Sequence, residues 1–238
     1  MPVKNNTPKL VLFDIDGTLI FHLKTHRFED QYEYAIKQVF GVDAPFDLAR
    51  FNGTLDRQNS WEVVRDFGVS RKEFLRKFPV YVDAMREVLV KRGEGQALYM
   101  PIPSAISLVK MLSRETEIHL GVITGNAKSI AVWKLEHTNL SKYFHFGLYG
   151  DEADDRAELA GTVFAKARQK LGIDLHPQDI TVIGDTVYDI RCGTAVGAVT
   201  IGVTTGMHGP REVLELEKPT LVVDSLLDKR VLALFSLK

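Results

Sequence analysis

From about Ser104 to the end of the chain, strand-like and helical segments alternate, and this alternation leaves few folds open. Short apolar runs predict buried strands, and longer segments with helical periodicity separate them. The predicted elements are strands 10–15, 118–124, 144–149, 180–184, 199–203 and 221–223, and helices 104–113, 127–137, 159–171, 189–196 and 226–235. Such alternation predicts a doubly wound parallel sheet, which is an α/β Rossmann-like core.

A block of helices interrupts this pattern after the first predicted strand. Between Leu19 and about Ile118 we expect no strand, and helices are predicted over 28–40, 60–67 and 70–90. The expected domains are an α/β core at 1–19 and 98–238 and an inserted all-α cap at 20–97. Because the block would leave and re-enter the sheet at one edge, it is placed to act as a lid.

Two carboxylates follow the first predicted strand directly, in the stretch Asp14-Ile-Asp16-Gly-Thr18. Side chains alternate along an extended chain, so Asp14 and Asp16 can share one side of the crevice. They fall at the carboxyl edge, where open α/β sheets bind ligands. Crowded carboxylates repel each other, and a bound cation or a retained proton would relieve that repulsion.

Polar residues also follow the predicted strand 118–124. Thr124, Gly125 and Asn126 stand where a helix begins, and backbone N–H groups at a helix start bind anions well. Thr and Asn are also common helix N-caps, so this segment alone fits either an anion site or a simple cap.

A third strand end carries more carboxylates. The predicted strand 180–184 runs into Asp185, and Asp189 falls in the first turn of the next helix, where it would also stabilise the helix dipole. With Asp14 and Asp16, four acidic groups therefore stand at the ends of two strands. Oxygen ligands without a nearby His or Cys suit Mg²⁺.

Composition excludes several classes of protein. The chain has 238 residues, of which 45% are hydrophobic and 26% charged, as in ordinary globular proteins. Its net charge of −1 does not indicate a nucleic-acid partner. No apolar run approaches the roughly 20 residues of a membrane helix, and the first residues lack a signal core. We expect a cytoplasmic protein without a membrane or nucleic-acid partner.

Together the strand-end motifs resemble the haloacid dehalogenase superfamily, specifically its phosphoglycolate phosphatase-like Mg²⁺ phosphatases with a helical (C1-type) cap. Asp14-x-Asp16-Gly-Thr18 resembles the first motif of that family, Thr124 the second, and Gly184-Asp185-Thr186-x-x-Asp189 the fourth. Their order and spacing span the whole chain, which is more specific than any one motif.

The resemblance implies a phosphatase that acts through an aspartyl-phosphate. Asp14 would be the nucleophile and Asp16 the general acid and base. The Mg²⁺ ligands that it implies are the Asp14 carboxylate, the Asp16 backbone carbonyl and the Asp185 carboxylate, with Asp189 binding directly or through water.

The resemblance also implies a phosphate-binding set made of Thr124, Gly125 and Asn126 with a cation from the third motif. The common Lys-Pro form of that motif is absent from the sequence. Arg156, at the start of a helix, is similar to the arginine that some members use there. Lys166 and Lys170 are the alternatives.

In similar phosphatases a cap loop with the pattern Gly-x-Thr-Asp reaches the site. The nearest match here is Phe51-Asn-Gly53-Thr54-Leu-Asp56-Arg57, which carries an extra residue between Thr54 and Asp56. Thr54 and Arg57 are the candidates for substrate contacts, although an ordinary loop before a helix fits the same residues. A lid over a small crevice favours a small phosphorylated metabolite. A monomer and a homodimer are both open.

The leading hypothesis is therefore Mg²⁺-dependent hydrolysis of a small organic phosphate monoester that is phosphoglycolate-like or sugar-phosphate-like. Two alternatives remain open at this point. A phosphosugar mutase of the same superfamily would use the same aspartyl-phosphate, and a catalytically silent regulator would keep only the phosphate-binding fold.

Overall fold

A computed structural model of the protein describes residues 9–23, 27, 29–51, 53–206 and 209–237. The strands are β1 (Leu10–Phe13), β2 (Ile20–His22), β3 (Tyr99–Pro101), β4 (His119–Ile123), β5 (Phe146–Leu148), β6 (Ile180–Gly184), β7 (Val199–Val203) and β8 (Leu221–Val223). The α-helices are α1 (Asp30–Phe40), α2 (Leu48–Phe51), α3 (Asp56–Val64), α4 (Arg71–Gly93), α5 (Pro103–Leu112), α6 (Lys128–His137), α7 (Arg156–Gly161), α8 (Val163–Leu171), α9 (Val187–Ala195), α10 (Arg211–Leu216) and α11 (Lys229–Leu234).

Six strands form one parallel sheet in the order β5-β4-β1-β6-β7-β8. Strand β1 is central, and the register pairs Phe13 with both Val122 of β4 and Ile183 of β6. The predicted α/β doubly wound fold is therefore confirmed. The carboxyl ends of these three strands also lie side by side, which brings the three predicted motifs to one edge.

Side chains of β1 alternate between two apolar layers. Val11 and Phe13 pack into the larger apolar cluster, which includes α5 and α6 and continues into the cap. Leu10 and Leu12 pack on the opposite face, with residues of α7, α8 and α9. Helices therefore cover both faces of the sheet, as a nearly all-apolar buried strand requires.

The inserted segment packs as helices, with α1 against α4 and α3. Tyr32 of α1 stacks on Phe46 with their ring centroids 4.1 Å apart. Phe74 and Tyr81 on α4 are fully buried in the same apolar cluster as the sheet face. The helical content predicted for this segment is thus observed, while the domain boundaries themselves stay a prediction.

One expectation about the insertion was wrong. Strands β2 and β3 pair antiparallel, Ile20 with Pro101 and His22 with Tyr99, where no strand was expected before Ile118. Each strand has only three residues, which is too few to show an alternation of apolar and polar side chains. Pro101 also predicted a break in secondary structure, although an edge strand tolerates proline. This two-stranded ribbon joins the points where the chain leaves and re-enters the core.

Smaller differences concern helices. The helix predicted over 60–67 begins at Asp56 and ends in a 3₁₀ turn, and the helix predicted over 159–171 is the pair α7 and α8. The short helices α2 and α10 were not predicted. Within the described part of the chain, no helix has both the length and the apolar composition that crossing a membrane requires.

Candidate active site

The candidate site lies at the carboxyl edge of the sheet, where β1, β4 and β6 end. Asp14 follows β1, Thr124 follows β4 and Asp185 follows β6, and all three side chains are buried. The Asp14 backbone N–H donates to the carbonyl of Ile183 at 2.8 Å, which extends the β1–β6 ladder one residue further. Parallel pairing thus places residues that are far apart in sequence within one small volume.

Three carboxylates form a compact buried cluster there. Asp14, Asp185 and Asp189 each offer an oxygen atom, and these atoms lie within 4.8 Å of one another. The Thr18 hydroxyl donates to Oδ1 of Asp185 at 3.2 Å. A Cβ on Gly17 would lie 2.3 Å from Oδ2 of Asp185, so this close approach requires glycine. The first and fourth motifs therefore meet directly.

The electrostatics of the cluster favour a cation. Burial, together with the charge of Asp189, raises the pKa of Asp14 well above its ordinary range. The same two causes raise the pKa of Asp185 to about 8. Each shift reports that an ionised carboxylate is unfavourable here without a counter-charge. Three buried oxygen ligands with no His or Cys among them fit Mg²⁺.

Asp189 has a structural role as well as a place in the cluster. Its Oδ2 accepts hydrogen bonds from the backbone N–H and the hydroxyl of Thr186, at 3.0 and 2.7 Å. The bond from the Thr186 N–H is one half of a capping box at the start of α9, and the other half runs from the Asp189 N–H to the Thr186 side chain. Its Oδ1 accepts from Nη1 of Arg156 at 2.9 Å.

Arg156 reaches the cluster from the start of α7 and is itself buried. Its Nε donates to the carbonyl of Gly53 at 2.8 Å, and its Nη2 lies 3.8 Å from Oδ1 of Asp14. The alternatives point elsewhere, since Lys166 pairs with Glu152 at 2.6 Å and Lys170 is exposed. Of these three, the structure brings Arg156 to the carboxylates.

Asp16 stands apart from the carboxylate cluster, on the side of Asn126. Nδ2 of Asn126 donates to Oδ2 of Asp16 at 2.7 Å and to the Thr124 hydroxyl at 2.8 Å. The side chain of Asp16 is 39% exposed, whereas Asp14 is buried. The two carboxylates of the first motif thus have different environments, as distinct roles as nucleophile and acid/base would need.

Lys134, which was not among the predicted site residues, also contacts Asp16. Its side chain is fully buried, and its Nζ donates to Oδ2 of Asp16 at 2.6 Å and to Oδ1 of Asn126 at 2.9 Å. The sequence signal that could have identified Lys134 is its spacing from Ile130 and Ala131, which places it on the buried face of α6. Lysine is almost never fully buried unless it is paired.

The cap loop lies directly on the second motif. The Asp56 backbone N–H donates to the carbonyl of Gly125 at 2.8 Å, and a Cβ on Gly125 would lie 2.1 Å from the carbonyl oxygen of Thr54. The Asp56 carboxylate accepts from the Ala127 N–H and from the Tyr32 hydroxyl, both at 2.8 Å. Burial raises the pKa of Asp56 to about 6.

The two candidate specificity residues, Thr54 in this loop and Arg57 in the first turn of α3, contact protein groups. The Thr54 hydroxyl donates to the carbonyl of Phe51 at 2.6 Å. Nη2 of Arg57 pairs with Asp154 at 3.0 Å, and its Nη1 donates to the carbonyl of Asp151 at 3.2 Å. Arg57 thus bridges cap and core, and substrate contacts for both residues stay a prediction.

Comparisons with known proteins agree with this geometry. Residues 8–197 match the family model of haloacid dehalogenase-like hydrolases. Phosphoglycolate phosphatase 1 of Pseudomonas aeruginosa is 24% identical over 225 residues, covering 93% of this chain and 78% of its own. Phosphoglycolate phosphatase of Escherichia coli K12 is 27% identical over 235 residues, covering 92% and 89%.

A solved structure of a predicted phosphatase from Clostridium acetobutylicum superposes with a TM-score of 0.65 at 23% identity, covering 95% of this chain and 99% of that one. This likeness supports the fold. The chain therefore belongs to the haloacid dehalogenase-like hydrolase family, and within that family it is a phosphatase that resembles phosphoglycolate phosphatases.

Proposed function

We propose that this protein is a Mg²⁺-dependent phosphatase that hydrolyses a small organic phosphate monoester through an aspartyl-phosphate on Asp14. The observation that carries the proposal is the position of Asp14. Its carboxylate is buried between two further carboxylates and the guanidinium of Arg156. Transfer of a dianionic phosphoryl group needs a nucleophilic carboxylate that lies beside both a metal-binding cluster of carboxylates and a positively charged side chain such as Arg156.

In the first step, an Asp14 carboxylate oxygen attacks phosphorus and the ester P–O bond breaks. Asp16 protonates the departing oxygen, which leaves as an alcohol. In the second step, Asp16 takes a proton from water, the water oxygen attacks phosphorus, and the Asp14–phosphate bond breaks. Inorganic phosphate and the free Asp14 carboxylate are the products.

The phosphate oxygens would be bound by Thr124, by the backbone around Gly125 and Asn126, and by Arg156. Mg²⁺ would be held by the Asp14 and Asp185 carboxylates and the Asp16 carbonyl, with Asp189 directly or through water. When bound, the ion neutralises charge between the carboxylates and the phosphate group.

The position of the cap loop favours a small substrate. Its loop from Gly53 to Asp56 hydrogen-bonds to Arg156 and to the Gly125 carbonyl, directly above the phosphate-binding residues. A site covered so closely favours a compact metabolite over a phosphoprotein. Because the relatives are named phosphoglycolate phosphatases, phosphoglycolate and small sugar phosphates are the substrates to test first.

The test is phosphate release from 4-nitrophenyl phosphate. We expect hydrolysis with MgCl₂ and none with a chelator, because the carboxylate cluster needs its counter-ion. We expect Asp14→Asn to reduce turnover to background, since the amide is a poor nucleophile of nearly the same shape. The matched control is Asp174→Asn, at an exposed carboxylate that pairs with Arg168 on the surface.

Full activity in Asp14→Asn, or with chelator present, would overturn the proposal. A panel of phosphoglycolate and sugar phosphates then identifies the substrate. Conversion of one sugar phosphate into an isomer without phosphate release would point instead to the mutase.

A further inference from the structure

The buried ammonium of Lys134 has no part in the two-step scheme, yet it lies against one of the reacting side chains. The residue belongs to α6, and its side chain is fully buried. A methionine of similar length would fill the same space without desolvating a charge. A charge retained at such a position therefore calls for a reason other than packing.

Lys134, Asn126 and Asp16 form a closed triangle of hydrogen bonds. Nζ of Lys134 donates to Oδ2 of Asp16 at 2.6 Å and to Oδ1 of Asn126 at 2.9 Å. Nδ2 of Asn126 completes the triangle by donating to the same Oδ2 of Asp16 at 2.7 Å. Two donors from fixed directions restrict the rotation of the Asp16 carboxyl group, whose Oδ1 takes no part in the triangle.

The surroundings hold Lys134 in place. Its Nζ lies 5.2 Å from the ring centroid of Tyr99, within the distance of a cation–π contact. Tyr99 is buried on β3, the strand that returns the chain from the cap. The ammonium is thus confined by Asn126, which precedes α6, and by Tyr99 of the β2–β3 ribbon, while the side chain of Asp16 remains 39% exposed.

We propose that Lys134 is a positioning residue, which together with Asn126 orients the Asp16 carboxyl group toward the leaving-group oxygen. The inference rests on the proposed function, because it gives Asp16 the role of general acid. Proton transfer requires the carboxyl oxygen within hydrogen-bond distance of the departing oxygen. Without these two donors, the partly exposed carboxyl group of Asp16 would populate several rotamers.

The test uses a series of phenyl phosphates of similar size and rising leaving-group basicity, namely 4-nitrophenyl, phenyl and 4-methylphenyl phosphate. The quantity measured is kcat/KM, which reports the step in which the leaving group departs. Nitrophenolate leaves without a proton, whereas the two more basic phenolates depend on Asp16. We expect Lys134→Met to lower kcat/KM by about tenfold or more for phenyl and 4-methylphenyl phosphate.

For 4-nitrophenyl phosphate we expect a change of less than about threefold. In an Asp16→Asn background, adding Lys134→Met should change kcat/KM by less than about twofold, since residues acting as one unit are not additive. The matched control is Lys128→Met, at an exposed lysine of the same helix, which should behave as wild type with all three esters.

An equal loss with all three esters would overturn the inference, as would no loss with any, or a full further loss in the Asp16→Asn background. Thermal melts check that each variant is folded, and Lys134→Gln replaces Lys134→Met if the latter does not fold. Absence of Mg²⁺-dependent hydrolysis in the wild type would instead sink the proposed function, so the two failures are distinguishable.

Discussion

One side chain, Arg156, connects three parts of the site. Its guanidinium contacts the cap through the carbonyl of Gly53, the fourth motif through Asp189, and the proposed nucleophile, Asp14. A lysine carries the same charge but presents a single nitrogen instead of a planar fork. The arginine can therefore bind phosphate while it also holds the cap loop, which one ammonium group cannot do in the same geometry.

We predict that Arg156→Lys lowers kcat/KM by about tenfold and Arg156→Ala by about 100-fold, because each removes donors that face the transferred phosphate. Steady-state kinetics on 4-nitrophenyl phosphate with Mg²⁺ measures both. Arg168→Lys and Arg168→Ala are the controls, at an exposed arginine outside the site. Wild-type kinetics in Arg156→Ala would assign the third-motif role to another residue.

Sequence patterns identify some of these residues and not others. Asp14 and Asp185 were predictable because each follows a buried strand directly, and parallel strands must end at a common edge. Lys134 was not, because its partner Asp16 is 118 positions away and only the packed fold shows that they meet. The burial of an ionisable group depends on such distant partners, which local periodicity does not contain.

At the scale of elements, a hydrogen bond joins cap and core. A cap side chain accepts it from a backbone N–H at the start of a core helix. The Asp56 carboxylate accepts the Ala127 N–H next to α6 and the Tyr32 hydroxyl of α1. A backbone donor at a helix start needs an acceptor, and here the acceptor belongs to the inserted cap. The cap thus supplies one of the acceptors that the start of α6 requires.

We predict that Asp56→Asn stabilises the metal-free protein at pH 7.5 and has little effect at pH 3, below the ordinary pKa of this carboxyl group. Burial raises the pKa of Asp56 from 3.8 to about 6 in the folded protein. The folded state therefore binds this proton more tightly than the unfolded state, and the stability gained at low pH is lost as the pH rises through about 6. The difference between the two pKa values corresponds to about 3 kcal/mol at most.

Urea unfolding of wild type and Asp56→Asn in EDTA at both pH values measures the effect. The asparagine can still accept from Ala127 and donate to the Tyr32 oxygen, so the hydrogen bonds survive without the charge. Asp56→Ala loses both bonds and should be less stable than Asp56→Asn at either pH. A difference between wild type and Asp56→Asn that does not change with pH would contradict the prediction.

The elements also show where local patterns suffice. Strands β6, β7 and β8 have the predicted bounds, because continuous apolar runs between turn residues leave little choice of ends. Strands β2 and β3 were missed because three residues show no period, and only their pairing across the inserted cap makes them strands. Long-range pairing of short segments is a property of the assembled fold.

For the molecule as a whole, the net charge of −1 conceals an uneven distribution of charged side chains. Three buried carboxylates share one edge of the sheet, with Arg156 as a buried cation in contact with two of them. Without a metal, their repulsion opposes folding, which the raised pKa values of Asp14 and Asp185 also indicate. A divalent cation that binds only the folded state should therefore stabilise the entire protein.

We predict that MgCl₂ raises the melting temperature of chelator-treated wild type by several degrees, because saturation at 100 times the Kd contributes about 2.7 kcal/mol. Asp185→Asn should lose most of this shift and, in EDTA, should melt at or above the wild-type temperature since one repulsive charge is gone. Differential scanning fluorimetry measures both effects, with Asp174→Asn as control. An equal Mg²⁺ shift in Asp185→Asn would remove Asp185 from the metal site.

The ribbon of β2 and β3 has a consequence for how this protein can be rebuilt. Paired strands lie about 4.8 Å apart, so the chain leaves the core at His22 and returns at Tyr99 through adjacent positions. A short turn could close that gap, or another inserted segment could be spliced in, without rerouting the sheet. We expect a chimera with a relative's cap to change its substrate range and to keep the proposed Asp14 chemistry, provided that the graft restores the acceptor that Asp56 supplies to the Ala127 N–H.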